Sequence, residues 1–240
     1  MTRAFVFPGQ GSQAVGMGQE MAAAFPVARH LLQEVDDALD QNLSRLMAQG
    51  PPDELILTEN AQPALMAVSL AVMRVLETEA GVDVETSCKY VAGHSLGEYS
   101  ALAAARSLNV ADAARLLKLR GQSMQEAVPI GVGAMAALLG AELDQAREIA
   151  ADAAEDEVCE TANDNATGQI VISGHKTAVD RAIELSKERG IRRAIELPVS
   201  APFHCSLMQP AADIMEKALG EIDLHRPVVP VIANVTAAEA

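Results

Sequence analysis

The stretch Lys89-Tyr90-Val91-Ala92-Gly93-His94-Ser95-Leu96-Gly97-Glu98-Tyr99 decides how this chain is read. Residues 89–92 form a short strand, and small residues from Leu96 to Ala105 suit a helix. Between them, Gly93-His94-Ser95-Leu96-Gly97 matches G-x-S-x-G in the strand-to-helix setting that gives the pattern meaning. Glycines remove β-carbons where the backbone must fold back, so the serine hydroxyl projects outward. The Leu96 amide, at the helix start, can then face a developing oxyanion. The bland alternative is a glycine-rich turn without chemistry. In this setting the pattern predicts that Ser95 is a nucleophile.

Working outward, Ala4-Phe5-Val6-Phe7 reads as a strand closed by Pro8-Gly9, followed by helices over 19–25 and 27–40. Thr58 is the expected N-cap of a long helix ending near Gly81. Leu65, Val68, Leu70, Val72, Met73, Val75 and Leu76 cover most of its circumference, which predicts burial. A further helix fits 110–128. Strands at 133–139, 157–162, 169–173 and 192–197, with helices at 142–153 and 176–188, follow the order β-α-β-β-α-β. The expected fold is therefore α/β: an α/β-hydrolase-like large domain with a short parallel sheet (1–130 and 201–240) and an inserted ferredoxin-like small subdomain (131–200). A helix near 206–219 and a strand near 228–233 return to the large domain.

The 240 residues are half hydrophobic, enough for one sizeable core with an inserted lobe. The net charge of −15 opposes non-specific nucleic-acid binding. Two tyrosines, four phenylalanines and no tryptophan leave little for base stacking. No apolar run approaches the roughly 18 residues of a membrane span, and the start lacks a secretory h-region. Cys88, Cys159 and Cys205 make neither a metal spacing nor an even disulfide set, so a reducing cytoplasm is the expectation, with no metal.

A serine nucleophile needs a base. His30 and His225 sit among surface-type residues, and His175 opens a helix. His94 adjoins Ser95, but neighbours in an elbow point apart, so it is expected to line the site. His204 remains, in Leu197-Pro198-Val199-Ser200-Ala201-Pro202-Phe203-His204-Cys205, a proline-stiffened loop suited to presenting a side chain across an interlobe cleft. The alternative is a core histidine. Gly9-Gln10-Gly11-Ser12-Gln13-Ala14 superficially fits a dinucleotide fingerprint. About 20 residues on, however, Glu34-Val35-Asp36 lies in a helical pattern instead of ending a strand. A loop approaching substrate is the better reading, with Gln10 offering a second oxyanion amide. Arg120 follows an apolar stripe, where a cation must be exposed or paired; its guanidinium suits a carboxylate.

Taken together, the chain resembles the malonyl-CoA:acyl-carrier-protein transacylases of bacterial fatty-acid synthesis. The resemblance rests on Phe7-Pro8-Gly9-Gln10-Gly11-Ser12-Gln13, Gly93-His94-Ser95-Leu96-Gly97-Glu98-Tyr99, Arg120-Gly121-Gln122-Ser123-Met124 and Pro198-Val199-Ser200-Ala201-Pro202-Phe203-His204. It implies that Ser95 and His204 are catalytic and that Gln10 and Leu96 supply the oxyanion amides. Arg120 would pair with the malonyl carboxylate, and His94, Asn165 and Phe203 would contribute to substrate binding. The implied partners are malonyl-CoA and acyl carrier protein, with no cofactor, no nucleic acid and no membrane, for a monomer in the cytoplasm. Relatives run on for several dozen residues past the strand near Pro230–Val235, including a glutamine whose carbonyl orients the histidine. The chain is accordingly expected to be truncated at its C-terminus, with apolar surface uncovered. The competing readings are an α/β-hydrolase-type esterase or thioesterase and an inactive carrier-binding domain. Lys187, Arg189, Arg192 and Arg193 form a basic cluster that could meet an acidic carrier or simply be solvated.

Overall fold

The computed structural model describes residues 3–199 and 201–240. The chain divides into two compact units, one running to Gly121 and resuming over Lys217–Ala240, the other spanning Gln122–Glu216. In order, the elements are β1 (Ala4–Phe7), α1 (Gln19–Ala24), α2 (Pro26–Leu39), α3 (Leu43–Gln49), α4 (Pro52–Leu55), α5 (Thr58–Ala80), α6 (Val84–Ser87), β2 (Tyr90–Gly93), α7 (Gly97–Ala104) and α8 (Val110–Ala127). There follow β3 (Gly133–Leu139), α9 (Leu143–Ala154), β4 (Cys159–Ala166), β5 (Gln169–His175), α10 (Lys176–Glu188), β6 (Arg193–Glu196), a 3-10 turn (Ser206–Met208), α11 (Gln209–Gly220) and β7 (Val231–Ile232).

The first unit is built on a parallel sheet of order β1-β2-β7. Its register pairs Ala4 with Tyr90 and Phe7 with Gly93, so the Pro8-Gly9 loop and the Ser95 turn leave the sheet at the same end. That carboxyl end is where parallel α/β sheets carry their ligands. Helix α2 starts with Pro26 in its first turn and buries Ala28, Leu31, Leu32 and Val35, the i, i+3, i+4, i+7 spacing of one face. It packs on α5.

Two expectations about α5 are corrected. Thr58 does not cap it: Leu57 holds the cap position without a side-chain hydrogen bond, and Thr58 is buried as the first helical residue. The burial is also confined to the first two-thirds. Residues Ala61–Ala67 are buried, whereas Val72 is 42% exposed and Val75 and Leu76 are only half-buried. An apolar circumference signals burial only where neighbours cover every side, and among the described residues nothing covers the outer face near the C-terminus of α5. Helices α3, α4 and α6 had no counterpart in the sequence reading. They are four to seven residues long, too short for periodicity to register.

The second unit carries an antiparallel sheet of order β4-β5-β3-β6. With α9 and α10, this is the β-α-β-β-α-β arrangement expected from the sequence. Successive β3 residues serve opposite faces. Ala134, Ala136 and Leu138 pack under α9 and α10 with Ile149, Ile170, Ile172 and Val179. Met135 and Ala137 join Val171 on the other face, together with Met124 of α8, Val128 just after it, and Ala201, Phe203, Met208 and Ala211. Both sheet faces are apolar and both need a cover. That explains why the compact unit is wider than 131–200, taking in the end of α8 and residues 201–216.

Leu138 is fully buried between β5 and β6 and against the helices. Leu138→Ala should therefore destabilise the protein by about 3 kcal/mol in urea unfolding, whereas truncating an exposed residue should cost no more than about 0.5 kcal/mol. Ile130, 82% exposed, provides that control, and equal losses at the two sites would contradict the packing described.

Candidate active site

The turn between β2 and α7 is closed by backbone against backbone. A β-carbon on Gly93 would fall 1.9 Å from the carbonyl of Gly97, and one on Gly97 would fall 2.5 Å from the Phe7 oxygen. Neither position admits a side chain, so both glycines of the motif are steric requirements. Ser95 at the apex has φ +53, a left-handed conformation costing a non-glycine residue roughly 1 kcal/mol. Hydrogen bonds lock the turn: His94 N–H donates to Phe7 O at 3.0 Å, Gly97 N–H to His94 O at 2.9 Å and Glu98 N–H to Ser95 O at 3.0 Å. Leu96, buried immediately after the serine, stands at the N-terminus of α7, where amides lack intrahelical partners. The His94 ring lies over Gly9 in the N-terminal loop, at the exposed surface.

Arg120 reaches Ser95 directly. Its Nη2 donates to Ser95 Oγ at 3.1 Å and its Nη1 to Gln62 Oε1 at 2.6 Å. Helix α8 can come this close because Gly121 has no side chain; a β-carbon there would lie 2.4 Å from Glu59 Cα. The guanidinium carbon stands 5.9 Å from the Tyr99 ring centroid, within cation–π range. Burial pulls the Arg120 pKa below its ordinary value, while Tyr99 and Glu98 oppose that fall. Burial likewise raises the Tyr99 phenol, with Arg120 acting against it. Ser95 therefore faces a half-buried cation held in place by Gln62. Gln10, in the loop after β1, is exposed and donates from Nε2 to Thr58 Oγ1 at 3.3 Å.

His204 belongs to the second unit. It is exposed, with φ +61, between two buried neighbours, Phe203 and Cys205. Phe203 sits in the apolar cluster with Met124 and Met135, so its ring anchors the loop from beneath. On the other side, Ser206 donates its N–H and Oγ–H to the Glu160 carboxylate at 2.9 and 2.7 Å. The histidine is thus exposed on a loop pinned at both ends. Asn165, also exposed, falls at a register shift of β4, where a residue escapes the ladder. The remaining histidines lie elsewhere. His30 and His225 are exposed, and His175 Nδ1 accepts the Val158 N–H at 2.9 Å. In the basic cluster, Lys187 pairs with Glu184 at 2.7 Å and Arg189 with Asp152, which leaves Arg192 and Arg193 as its exposed, unpaired members among the described residues.

Three contributors were missed in the sequence. Gln62 shows only as a polar residue at a buried helical position, beside Pro63. Glu98 shows only as a polar residue of the elbow motif, with nothing local to mark its contact with Asn234. Asn234, just after β7, donates from Nδ2 to Gly93 O and accepts the Ser95 N–H through Oδ1. No local pattern marks it, because its partners are 139 and 141 positions away.

A serine on a strained strand-to-helix turn, beside a half-buried cation, is the arrangement of an acyl-transfer site of the nucleophile-elbow type. The chain belongs to the acyl transferase domain family, which it matches over residues 4–240. It is 48% identical over 232 residues to malonyl CoA-acyl carrier protein transacylase of Escherichia coli K12, covering 97% of this chain and 74% of that protein. The enzyme of the same name from Bacillus subtilis 168 is 47% identical over 235 residues, covering 98% and 73%. Among solved structures, an acyl-carrier-protein-S-malonyltransferase from Bartonella henselae superimposes with a TM-score of 0.97 at 53% identity, covering 100% of this chain and 76% of that one. A malonyl-transacylase in complex with its type II PKS acyl-carrier protein gives 0.95 at 43% identity, covering 100% and 76%.

Among the described residues no helix is long and apolar enough to cross a membrane, and no group of three His, Cys, Asp or Glu could hold a metal ion. The thiols offer no rival nucleophile. Burial first, then nearby Cys205, pushes Cys159 up to about 11, and burial also raises Cys205 beside the histidine. Iodoacetamide should alkylate Cys159 of the folded protein at pH 8 about a hundredfold more slowly than a thiol of pKa 9, as mass spectrometry can show. The folded state holds this proton more tightly than the unfolded state. Stability should therefore be intact below pH 9.0 and fall as the pH rises toward about 11.

Proposed function

We propose that this protein transfers the malonyl group of malonyl-CoA to the phosphopantetheine thiol of acyl carrier protein, in fatty-acid biosynthesis. The observation that carries the reading is the Arg120 guanidinium donating to Ser95 Oγ at 3.1 Å. An acyl group esterified to that oxygen lies beside this cation, and one that bears a free carboxylate, as malonyl does, can pair with it.

Ser95 Oγ attacks the thioester carbonyl and passes its proton to His204. The amides of Leu96 and Gln10 hold the oxyanion. The tetrahedral intermediate expels the CoA thiolate, which takes the proton from His204 and departs as the thiol. Malonyl-Ser95 remains, its carboxylate paired with Arg120 and Arg120 held by Gln62. The carrier thiol then gives its proton to His204 and attacks the ester. As the intermediate collapses, the proton returns to Ser95 Oγ, completing a ping-pong cycle. His94 and Asn165 border the acyl group, and Phe203 holds the loop beneath His204. The chain acts as a cytoplasmic monomer without cofactor or metal, and binds neither nucleic acid nor membrane.

Brief exposure to malonyl-CoA should add one malonyl group by intact mass to the wild type and none to Ser95→Ala. The adduct should be discharged by a carrier thiol. Rapid release of free malonate would favour the esterase, and carrier binding without any adduct would favour the inactive domain. Arg120→Ala should slow malonyl transfer about a hundredfold, or roughly 2.7 kcal/mol, while changing acetyl transfer less than about threefold. Equal losses with both substrates would count against carboxylate recognition.

A further inference from the structure

We infer that Asn234 is a positioning residue for the Ser95 nucleophile, its side-chain amide standing in for a missing rung of the parallel sheet. The inference rests on Ser95 being the nucleophile. Strand β2 pairs with β7 through Val91↔Val231 and Ala92↔Ile232, and Val91 N–H donates to Pro230 O at 3.1 Å. In a parallel ladder one residue's N–H and C=O serve two alternate residues of the neighbouring strand. Continuing the register places Asn234 opposite the elbow, where β2 has begun to turn away. There the carboxamide takes over from the backbone. Its Nδ2 donates to Gly93 O at 2.6 Å, and its Oδ1 accepts the Ser95 N–H at 3.0 Å. Gly93 and Ser95 are alternate residues, as the ladder requires.

Glu98, in the first turn of α7, fixes which way this amide faces. Its carboxylate accepts from Asn234 N–H at 2.8 Å and also from Nδ2. A carboxylate cannot donate, so it selects the amide orientation with Nδ2 toward Glu98 and Gly93 and Oδ1 toward the Ser95 amide. The clasp thereby joins the residues before, at and after the nucleophile to β7. Ser95 at φ +53 is a conformation that persists only when its surroundings over-determine it. Without the clasp, Ser95 would lose the partner of its own N–H. The hydroxyl would then sample positions away from Arg120 and the Leu96 amide.

The test labels Ser95 with a fluorophosphonate, which reports serine nucleophilicity without requiring malonyl-CoA. Ser95→Ala identifies the labelled site by intact mass. Asn234→Ala removes the clasp. Asn234→Asp keeps its shape and the acceptor for Ser95 N–H but replaces the donor to Gly93 O with a second acceptor. Both variants should lower the maximal labelling rate about tenfold or more, while the half-saturating probe concentration stays within about twofold. Wild-type labelling rates in both Asn234 variants would overturn the inference while leaving the nucleophile standing. So would a drop in melting midpoint of more than about 10 °C in both, which would assign the clasp to folding. A wild type that labels no more than Ser95→Ala would overturn the nucleophile, and the inference with it.

Discussion

At the end of β2 the backbone of Gly93 lies so close to that of Gly97 that a β-carbon would meet the Gly97 carbonyl at 1.9 Å. The other features of the first unit's site follow from that contact. It makes the chain reverse within four residues, lifts Ser95 into the left-handed region and starts α7 immediately behind it. It also sets α7 against Phe7, whose carbonyl receives the His94 N–H at 3.0 Å and leaves no room for a side chain at Gly97. The strain at Ser95 is a small fraction of the free energy of folding. It is balanced by hydrogen bonds that converge on the turn from β1, from α7 itself and from the segment after β7.

The same logic of close backbone approach places the cation. Gly121 lets α8 touch the start of α5, and only then can Arg120 reach both Gln62 and Ser95. A guanidinium loses hydration on burial and recovers it here through a neutral amide, an aromatic face and a hydroxyl. That choice of partners matters for chemistry. A buried arginine already hydrogen-bonded to an acid would have little left to offer an anionic substrate, whereas Arg120 hydrogen-bonds to the neutral groups of Gln62 and Ser95, with Glu98 acting on it only through its nearby charge. Arg120 and the Ser95 turn therefore belong to one small hydrogen-bonded cluster.

In the second unit the corresponding constraint is apolar. A four-stranded sheet with two greasy faces must be covered twice, by α9 and α10 on one side and by α8 with residues 201–211 on the other. Phe203 and Met208 belong to the second cover, and His204 is carried between them on a loop that core packing and the Glu160 carboxylate hold from opposite sides. The exposed histidine is positioned by its buried neighbours. This is how a loop holds an exposed side chain without the looseness that loops usually have.

The elements that periodicity can register were legible in the sequence: the strand-serine-helix turn, the amphipathic α2 and the β-α-β-β-α-β order. Each is dictated within a dozen residues by side-chain spacing and by glycine at positions with no room for a β-carbon. The reach of Arg120, the exposure of His204 and the full extent of the second unit depended on what packs against what. Short helices, the uncovered outer face of α5 and the burial of Thr58 escaped for the same reason. Asn234 is the clearest case. An asparagine after a two-residue strand carries no local signal, and it gains its meaning from a serine 139 residues away in the chain. Local sequence determined which residue would be presented on the turn. Only the tertiary structure decided what would hold it there, because hydrogen bonds between distant segments exist only once the sheet has brought those segments side by side.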